Sequence, residues 1–282
     1  MPELAGVPAL REPVLVAAFE GWNDAGEAAS AAIAHLVQVW DARLVGEFDP
    51  EDYYDFQVNR PRVSLVDGRR IITWPTTRIH VCLDSSGTHD VVLIEGIEPS
   101  TRWRSFTAEL VQVARDLGVE TVVSLGAFLA DVPHTRPIPV NISSDDLSAQ
   151  LTFGAEPSDY QGPTGIVGVL TEALRAAGIQ AVSCWAAVPH YAGGPPSPKA
   201  TLALLDALAE ILDVSIPAQA LADDARTWER GVDEMAENDD EVADYVQSLE
   251  EASDTADMPE ASGDAIAREF ERYLRGHEDD SS

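Results

Sequence analysis

A strand–turn–helix signal in residues 14–30 constrains the fold more than any other feature of the chain. An apolar run ends at Phe19, a tight polar corner follows, and a helical pattern begins at once. Asp24 and Glu27 have the spacing of a capping box, which predicts that the helix starts directly after the corner. In open α/β sheets, ligands usually bind beyond the carboxyl ends of the strands. The segment therefore predicts an α/β fold with a candidate site at this corner.

Strand and helix patterns alternate along the following part of the chain. The predicted strands are residues 42–48, 62–66, 70–73, 78–83, 90–95, 121–125 and 181–188, and the predicted helices are residues 103–117, residues 164–177 and a segment that starts at Pro198. Asp67-Gly68, between two of the strands, is typical of a hairpin turn. The alternation indicates a largely parallel sheet covered on both faces, and the hairpin indicates that the sheet is mixed. We expect a three-layer α/β/α domain over residues 1–217.

The C-terminal part of the chain has a different composition. Residues 223–282 contain 21 Asp and Glu residues against five Arg residues. Apolar residues recur there at a near-heptad spacing, which is typical of a helix that buries one seam. The seam residues are Leu221, Trp228, Val232, Met235, Val242, Val246 and Leu249. The seam can pack on the chain's own domain or on another subunit, and residues 238–240 can cap a second helix. We expect an acidic helical extension over residues 218–276 and a disordered tail over residues 277–282.

Charge and composition exclude several classes of partner. The formal net charge is -31, whereas nucleic acids and anionic membranes are bound by clustered Lys and Arg. The sequence has no apolar run of the ~20 residues that a membrane-spanning helix needs, and residues 1–11 have no signal-peptide pattern. Cys82 and Cys184 lie in apolar runs, which is typical of buried free thiols in a reduced compartment. We therefore expect a cytoplasmic protein that binds neither nucleic acid nor membranes.

Polar side chains cluster at the ends of four predicted strands. Because the carboxyl ends of parallel strands share one edge of a sheet, these clusters can converge on one crevice. The candidate crevice residues are Glu20, Trp22, Asn23, Asp24, Glu95, Asp131, His134, Arg136, His190, Tyr191 and Lys199.

Each of these groups has a structural alternative. Asn23 and Asp24 can cap a helix rather than bind a ligand. Glu20 and Glu95 can form an acid/base pair, although carboxylates in turns are usually solvated.

The later clusters have alternatives of the same kind. His134 and His190 can act as general bases or simply support their loops. Arg136 can hold a carboxylate or phosphate group, or pair with a nearby acidic residue. The sequence contains no G-x-S-x-G, C-x-x-C or H-E-x-x-H motif, and no Cys/His spacing that suits zinc. We expect no metal and no cofactor, and the residues alone identify no reaction.

Several phrases of the sequence, taken together, resemble the proteasome assembly chaperone type 2 family in its bacterial, actinobacterial-type branch. They are FEGWNDAGEAAS at 19–30, LIEGIEPSTRW at 93–103, LGAFLADVPHTRP at 125–137, PTGIVGVL at 163–170, WAAVPHY at 185–191 and PPSPKATLALL at 195–205. The resemblance spans residues 13–274 and implies an α/β/α fold similar to nucleoside phosphorylases and related hydrolases. It also implies self-association, with a trimer expected, and protein partners such as proteasome subunits or a paralogue.

One departure from the family pattern bears on mechanism. Some members end in a hydrophobic–Tyr–any-residue tail that docks between proteasome subunits. This sequence ends in HEDDSS, and Tyr273 is internal. We therefore do not expect direct insertion of the tail into a proteasome pocket.

Two functions follow from these observations. The first is a non-enzymatic assembly chaperone or scaffolding protein that acts through contacts with other proteins. The alternative is an enzyme or small-molecule binder of the nucleoside phosphorylase or hydrolase type, with a crevice at the carboxyl ends of the strands. Fold likeness alone does not choose between them.

Overall fold

The computed structural model describes residues 1–83 and 89–255. Its strands are β1 (Val14–Glu20), β2 (Arg43–Glu47), β3 (Arg62–Val66), β4 (Arg69–Thr73), β5 (Arg78–Cys82), β6 (Val91–Ile97), β7 (Thr121–Ala130), β8 (Val140–Ser143) and β9 (Gln180–Pro189). Its α-helices are α1 (Ala28–Val39), α2 (Pro50–Tyr53), α3 (Trp103–Asp116), α4 (Leu147–Phe153), α5 (Ile166–Ala176), α6 (Pro198–Leu212), α7 (Gln219–Glu237) and α8 (Asp240–Thr255).

A mixed seven-stranded sheet, in the order β2-β5-β6-β1-β7-β9-β8, organises these elements. Strands β6, β1, β7 and β9 are parallel neighbours. Strand β5 runs antiparallel to β2 and β6, and β8 runs antiparallel to β9. The carboxyl ends of the four central strands therefore lie along one edge, as the predicted site requires.

Helices cover both faces of the sheet. On one face, α3 and α5 pack on a core that includes Phe19 and Phe106, whose rings meet edge to face. On the other face, α1, α4 and α6 pack on a core that includes Ile33 and Leu125. The side chains of β1 alternate between these two cores, since successive residues of a strand point to opposite faces. The three-layer α/β/α fold class is confirmed.

The start of α1 differs from the prediction. A single 3-10 turn, Ala25–Glu27, precedes the helix, and Glu27 has left-handed backbone angles and no capping hydrogen bond from its side chain. Oδ1 of Asp24 instead accepts hydrogen bonds from the backbone N–H groups of Ala29 (2.7 Å) and Ser30 (3.2 Å). The capping-box prediction is therefore wrong, because the extra turn moves the first free N–H groups beyond Glu27.

The acidic C-terminal segment forms two helices. Asp239 lies between α7 and α8, and its Oδ1 accepts hydrogen bonds from the backbone N–H groups of Glu241 and Val242. Helix α7 packs on α6, and α8 packs on α7. We call α7 and α8 together the C-terminal strap. Residues 256–282, with the rest of the predicted extension and tail, lie outside the described residues.

The β3–β4 hairpin forms a separate two-stranded sheet, and the side chains of both strands are exposed. Elements absent from the sequence prediction are α2, β8 and α4. Among the described residues, every helix is too short or too polar to cross a lipid bilayer.

Candidate functional site

The predicted crevice residues separate into three groups in the structure. The first surrounds the corner after β1, the second lies on β5 and β6, and the third joins the carboxyl ends of β7 and β9 to the C-terminal strap.

At the first group, Asn23 joins the corner to the beginning of α5. Its Nδ2 donates a hydrogen bond to Oε1 of Glu98 (2.9 Å), and the same oxygen accepts the backbone N–H of Ile166 (2.7 Å). Glu98 thus places a carboxylate at the amino end of α5, where a helix dipole favours negative charge. A Cβ on Gly165 would lie 2.3 Å from Oδ1 of Asn23, so this close packing requires glycine. The chain itself supplies the anion at this helix end, which disfavours a phosphate there.

Asp24 and Glu20 belong to the same corner but have different environments. Burial raises the pKa of Asp24, against the opposing effect of its hydrogen bonds to the start of α1. Burial also raises the pKa of Glu20, and the negative charges of Asp24, Glu27 and Glu95 raise it further. Asp24 therefore acts as a helix cap, and both carboxyls of this corner hold a proton more readily than usual.

In the second group, Glu95 pairs with a histidine rather than with Glu20. Oε1 of Glu95 lies 3.0 Å from Nε2 of buried His80 and 3.8 Å from Nη1 of Arg78. The hydrogen bond from His80 lowers the pKa of Glu95 below its usual value. The pKa of Glu95 is therefore lowered, whereas that of Glu20 is raised. Glu95 on β6 forms an ion pair with Arg78 on β5.

The third group is centred on His134, which is almost fully buried. The hydroxyl of Tyr191 accepts the backbone N–H of His134 (2.7 Å) and lies 2.7 Å from Nδ1 of the same residue. The carboxylate of Asp233 only accepts hydrogen bonds, so Nε2 of His134 beside it carries a ring proton, and in the neutral imidazole Nδ1 accepts the hydroxyl proton of Tyr191. Nε2 then donates to Oδ1 of Asp233 on α7 (2.9 Å). The chain itself satisfies both ring nitrogens of His134, and burial raises the pKa of Tyr191 to about 12.

Charged side chains fasten the strap on both sides of His134. Nζ of Lys199 donates to Oε1 of Glu229 (2.6 Å) and to the carbonyl oxygen of His134. The guanidinium of Arg136 forms two hydrogen bonds with Asp254, Nε to Oδ1 (2.9 Å) and Nη2 to Oδ2 (2.8 Å).

Asp131 and His190 meet α8 through its tyrosine. The hydroxyl of Tyr245 donates to Oδ1 of Asp131 (3.1 Å), and Nδ1 of His190 lies 3.2 Å from that oxygen. The rings of His190 and Tyr245 meet edge to face at 5.4 Å. The polar clusters that follow β7 and β9 therefore lie close together, and both contact the strap. Helices α7 and α8 cover the carboxyl ends of β7 and β9, where the sequence predicted a crevice.

The seam of the strap packs largely on the chain itself. Val232, Val246 and Leu249 are buried, whereas Trp228 and Val242 are partly exposed. Leu221 packs against the core beneath α6.

The ring of Trp228 meets that of His134 edge to face, with the centroids 6.5 Å apart. Met235 is 42% exposed, and Ala236 takes its place in the contact. Met235 therefore lies outside the buried part of the seam, and its contact with another subunit stays a prediction.

A cavity of about 680 Å³ lies beside α5, β8 and β9, and Trp22 and Asn23 reach it from the corner. Trp185 and Tyr160 add aromatic surface. The acidic residues of its lining are Asp145, Asp146, Glu156, Asp159 and Glu172. The sequence analysis missed this cavity, since a large part of its lining comes from the segment between β8 and α5, which has no periodic pattern.

Metal ligands and thiols give no further site in the part of the chain that the structure describes. Residues 1–83 and 89–255 contain no group of three or more His, Cys, Asp or Glu side chains able to hold a metal ion. Cys82 and Cys184 are buried, and burial raises the pKa of Cys184 to about 12.

Comparisons with known proteins agree with this architecture. A model of the PAC2 family matches residues 18–236. The crystal structure of a PAC2 family protein from Streptomyces avermitilis is 57% identical in sequence, with 83% of this chain and 99% of that chain covered and a TM-score of 0.79. A proteasome-assembly chaperone homologue from Mycobacterium tuberculosis is 50% identical, with 83% and 99% covered and a TM-score of 0.76.

An archaeal proteasome activator from Pyrococcus furiosus, PbaB, has the same fold at 15% identity, with a TM-score of 0.68 and 83% of this chain and 98% of that chain covered. A comparison with curated proteins gives no match.

Proposed function

The chain belongs to the PAC2 family, and from this premise we propose that it is a non-enzymatic assembly chaperone that binds other proteins, with proteasome subunits as its clients. The observation that carries the proposal is the likeness to the M. tuberculosis proteasome-assembly chaperone homologue, at 50% identity over 99% of that chain. In this reading the protein works as a homo-oligomer, and a trimer is the expected state.

The carboxyl edge of the sheet supports a binding role rather than catalysis. His134 is almost fully buried and its two ring nitrogens bond to Tyr191 and Asp233, so its imidazole lies out of reach of a substrate. Lys199 and Arg136 are paired with acidic residues of the strap. The ionisable side chains of this edge are therefore bound to residues of the strap.

A binding measurement with separate components tests the proposal. Purified protein would be mixed with separately purified proteasome α and β subunits from the same cell and examined by native mass spectrometry. The proposal predicts complexes with unassembled subunits and none with the finished particle. Absence of such complexes at micromolar subunit concentrations would overturn it.

The cavity favours a second candidate, the binding of a small molecule. Its volume of about 680 Å³ is within the range of ligand pockets, roughly 300–1,000 Å³, and two tryptophans contribute to its wall. Five acidic residues line it, and the guanidinium of Arg175 pairs with Glu172. These charges favour a neutral or cationic ligand over a phosphate.

A thermal-shift screen separates this candidate from the first. Nucleosides, inorganic phosphate and sugar phosphates would each be tested at millimolar concentration. A ligand present at 100 times its Kd stabilises the folded state by about 2.7 kcal/mol. Stabilisation by uncharged nucleosides alone supports a ligand in the cavity, and no stabilisation by any compound rejects the second candidate.

A further inference from the structure

The β3–β4 hairpin exposes an apolar surface that the described residues leave uncovered. Val63 lies opposite Ile72 and Leu65 lies opposite Arg70, so these four side chains share one face. The three apolar ones are between 54% and 73% exposed. A two-stranded hairpin alone is only marginally stable in water, and unpaired strand edges readily bind another chain. These features are typical of a docking element.

The charge of this hairpin is opposite to that of the protein. Residues 60–74 contain four arginines, Arg60, Arg62, Arg69 and Arg70, against a single Asp67, in a chain with a formal net charge of -31. An apolar surface surrounded by arginines is complementary to an apolar surface surrounded by carboxylates.

Helix α4 presents such a surface. Leu147 and Leu151 are 75% and 88% exposed, and their spacing of four residues places them on one side of the helix. Asp145 and Asp146 immediately precede the helix, and exposed Glu156 follows it closely. The α4 face thus combines two exposed leucines with nearby carboxylates.

The two surfaces are attached to strands on opposite sides of the sheet. The hairpin connects α2 to β5, next to edge strand β2, whereas α4 follows β8, the other edge strand. Contacts between different surfaces of identical chains are head-to-tail, and they close into a ring when the rotation between neighbours allows it. We propose that the hairpin of one copy docks on the α4 face of a second copy. This inference rests on the self-association within the proposed function and not on the identity of the client.

Two variants of the full chain test the contact. Val63→Thr/Leu65→Thr/Ile72→Thr removes the apolar face of the hairpin, and Leu147→Gln/Leu151→Gln removes that of α4. Leu83→Gln, at an exposed apolar residue that follows β5, is the matched control. All these side chains are exposed, so circular dichroism and thermal melting are expected to show folded proteins.

Mass is measured by sedimentation and light scattering across protein concentration. Both docking variants are expected to self-associate at least about tenfold more weakly, as loss of central apolar contacts does at other interfaces, while the control keeps the wild-type mass. An equimolar mixture of the two variants has one intact pair of surfaces and is expected to form a 1:1 dimer and nothing larger.

The possible failures are distinguishable. If the α4 variant keeps the wild-type mass, or the mixture forms no dimer, the assignment of these surfaces is wrong although self-association stands. If the wild type is monomeric at every concentration, the self-association itself is wrong. Neither result depends on binding of proteasome subunits, which tests the proposed function separately.

Discussion

Nε2 of His134 lies 2.9 Å from Oδ1 of Asp233, and this contact joins the loop after β7 to the C-terminal strap. His134 is almost fully buried, whereas the Asp233 side chain is about half exposed. The hydrogen bond therefore links the interior of the carboxyl edge to a helix at the surface. Its loss is expected to loosen the strap before it affects the sheet.

Asp233→Ala tests that expectation. The variant leaves Nε2–H of His134 without its partner, and an unsatisfied buried donor costs about 1–3 kcal/mol. Hydrogen exchange measured by mass spectrometry is expected to quicken in peptides from residues 219–255 and to stay unchanged in those from β1 and β7. Asp244→Ala, at an exposed acidic residue of α8, is the control. Equal exchange in the two variants would contradict the anchoring role of His134.

Arg136→Gln tests the far end of the strap. Hydrogen bonds from Arg136 lower the pKa of Asp254, but both side chains are substantially exposed. Exposed ion pairs contribute little to stability and weaken in salt. Exchange is expected to quicken only near the carboxyl end of α8, and about 1 M salt is expected to have the same effect on the wild type. A loss of protection throughout the sheet would contradict this local role.

Gly165→Ala tests the packing between the corner and α5. The added Cβ would lie 2.3 Å from Oδ1 of Asn23 and 2.9 Å from Oε1 of Glu98, and overpacking of this kind costs about 1–3 kcal/mol. Urea unfolding measures the loss. Gly194→Ala is the matched control, since a Cβ there meets no atom within 4 Å. Similar urea midpoints for the two variants would contradict this prediction, because they would show that the corner accommodates the added methyl group without loss of stability.

The lowered pKa of Glu95 predicts that the folded state loses part of its stability in acid. The hydrogen bond from His80 lowers the pKa of Glu95 in the folded state. The pair therefore contributes stability above the unfolded-state pKa, about 4.3, and loses it as the pH falls through the lower folded-state value.

The matched variant for this pair is Glu95→Gln. It is expected to be less stable than the wild type at pH 7 by about 1–2 kcal/mol and to approach it as the pH falls below about 4. The free energy of unfolding in urea, measured at several pH values, checks this. A difference between the two proteins that does not change with pH would contradict the assigned pair.

Local patterns in the sequence predicted the strands and helices around the corner, because their buried faces are periodic. Helix α4 escaped prediction since its leucines are exposed and Ala149 is its buried side chain, which reverses the usual pattern. The capping prediction failed because left-handed angles at Glu27 allow a turn that spacing alone does not reveal.

The proximity of some candidate residues was predictable from the strand pattern, but the groups that they contact were not. His134, Arg136 and Lys199 do come together at the carboxyl edge, as parallel strands require. Asp233 and Asp254, the strap partners of His134 and Arg136, are about a hundred residues away in sequence, and no local pattern pairs distant charges. Contacts between residues far apart in sequence, rather than local patterns, therefore hold the strap over this edge.

The most direct test of the account follows the assembly of proteasome α and β subunits over time, with and without the protein, on native gels. An unrelated acidic protein of similar size serves as the control. The account predicts that the protein quickens the appearance of finished particles, binds intermediates on the way and is absent from the finished particle. An unchanged assembly rate, with no intermediate that contains the protein, would contradict the central claim that it is an assembly chaperone.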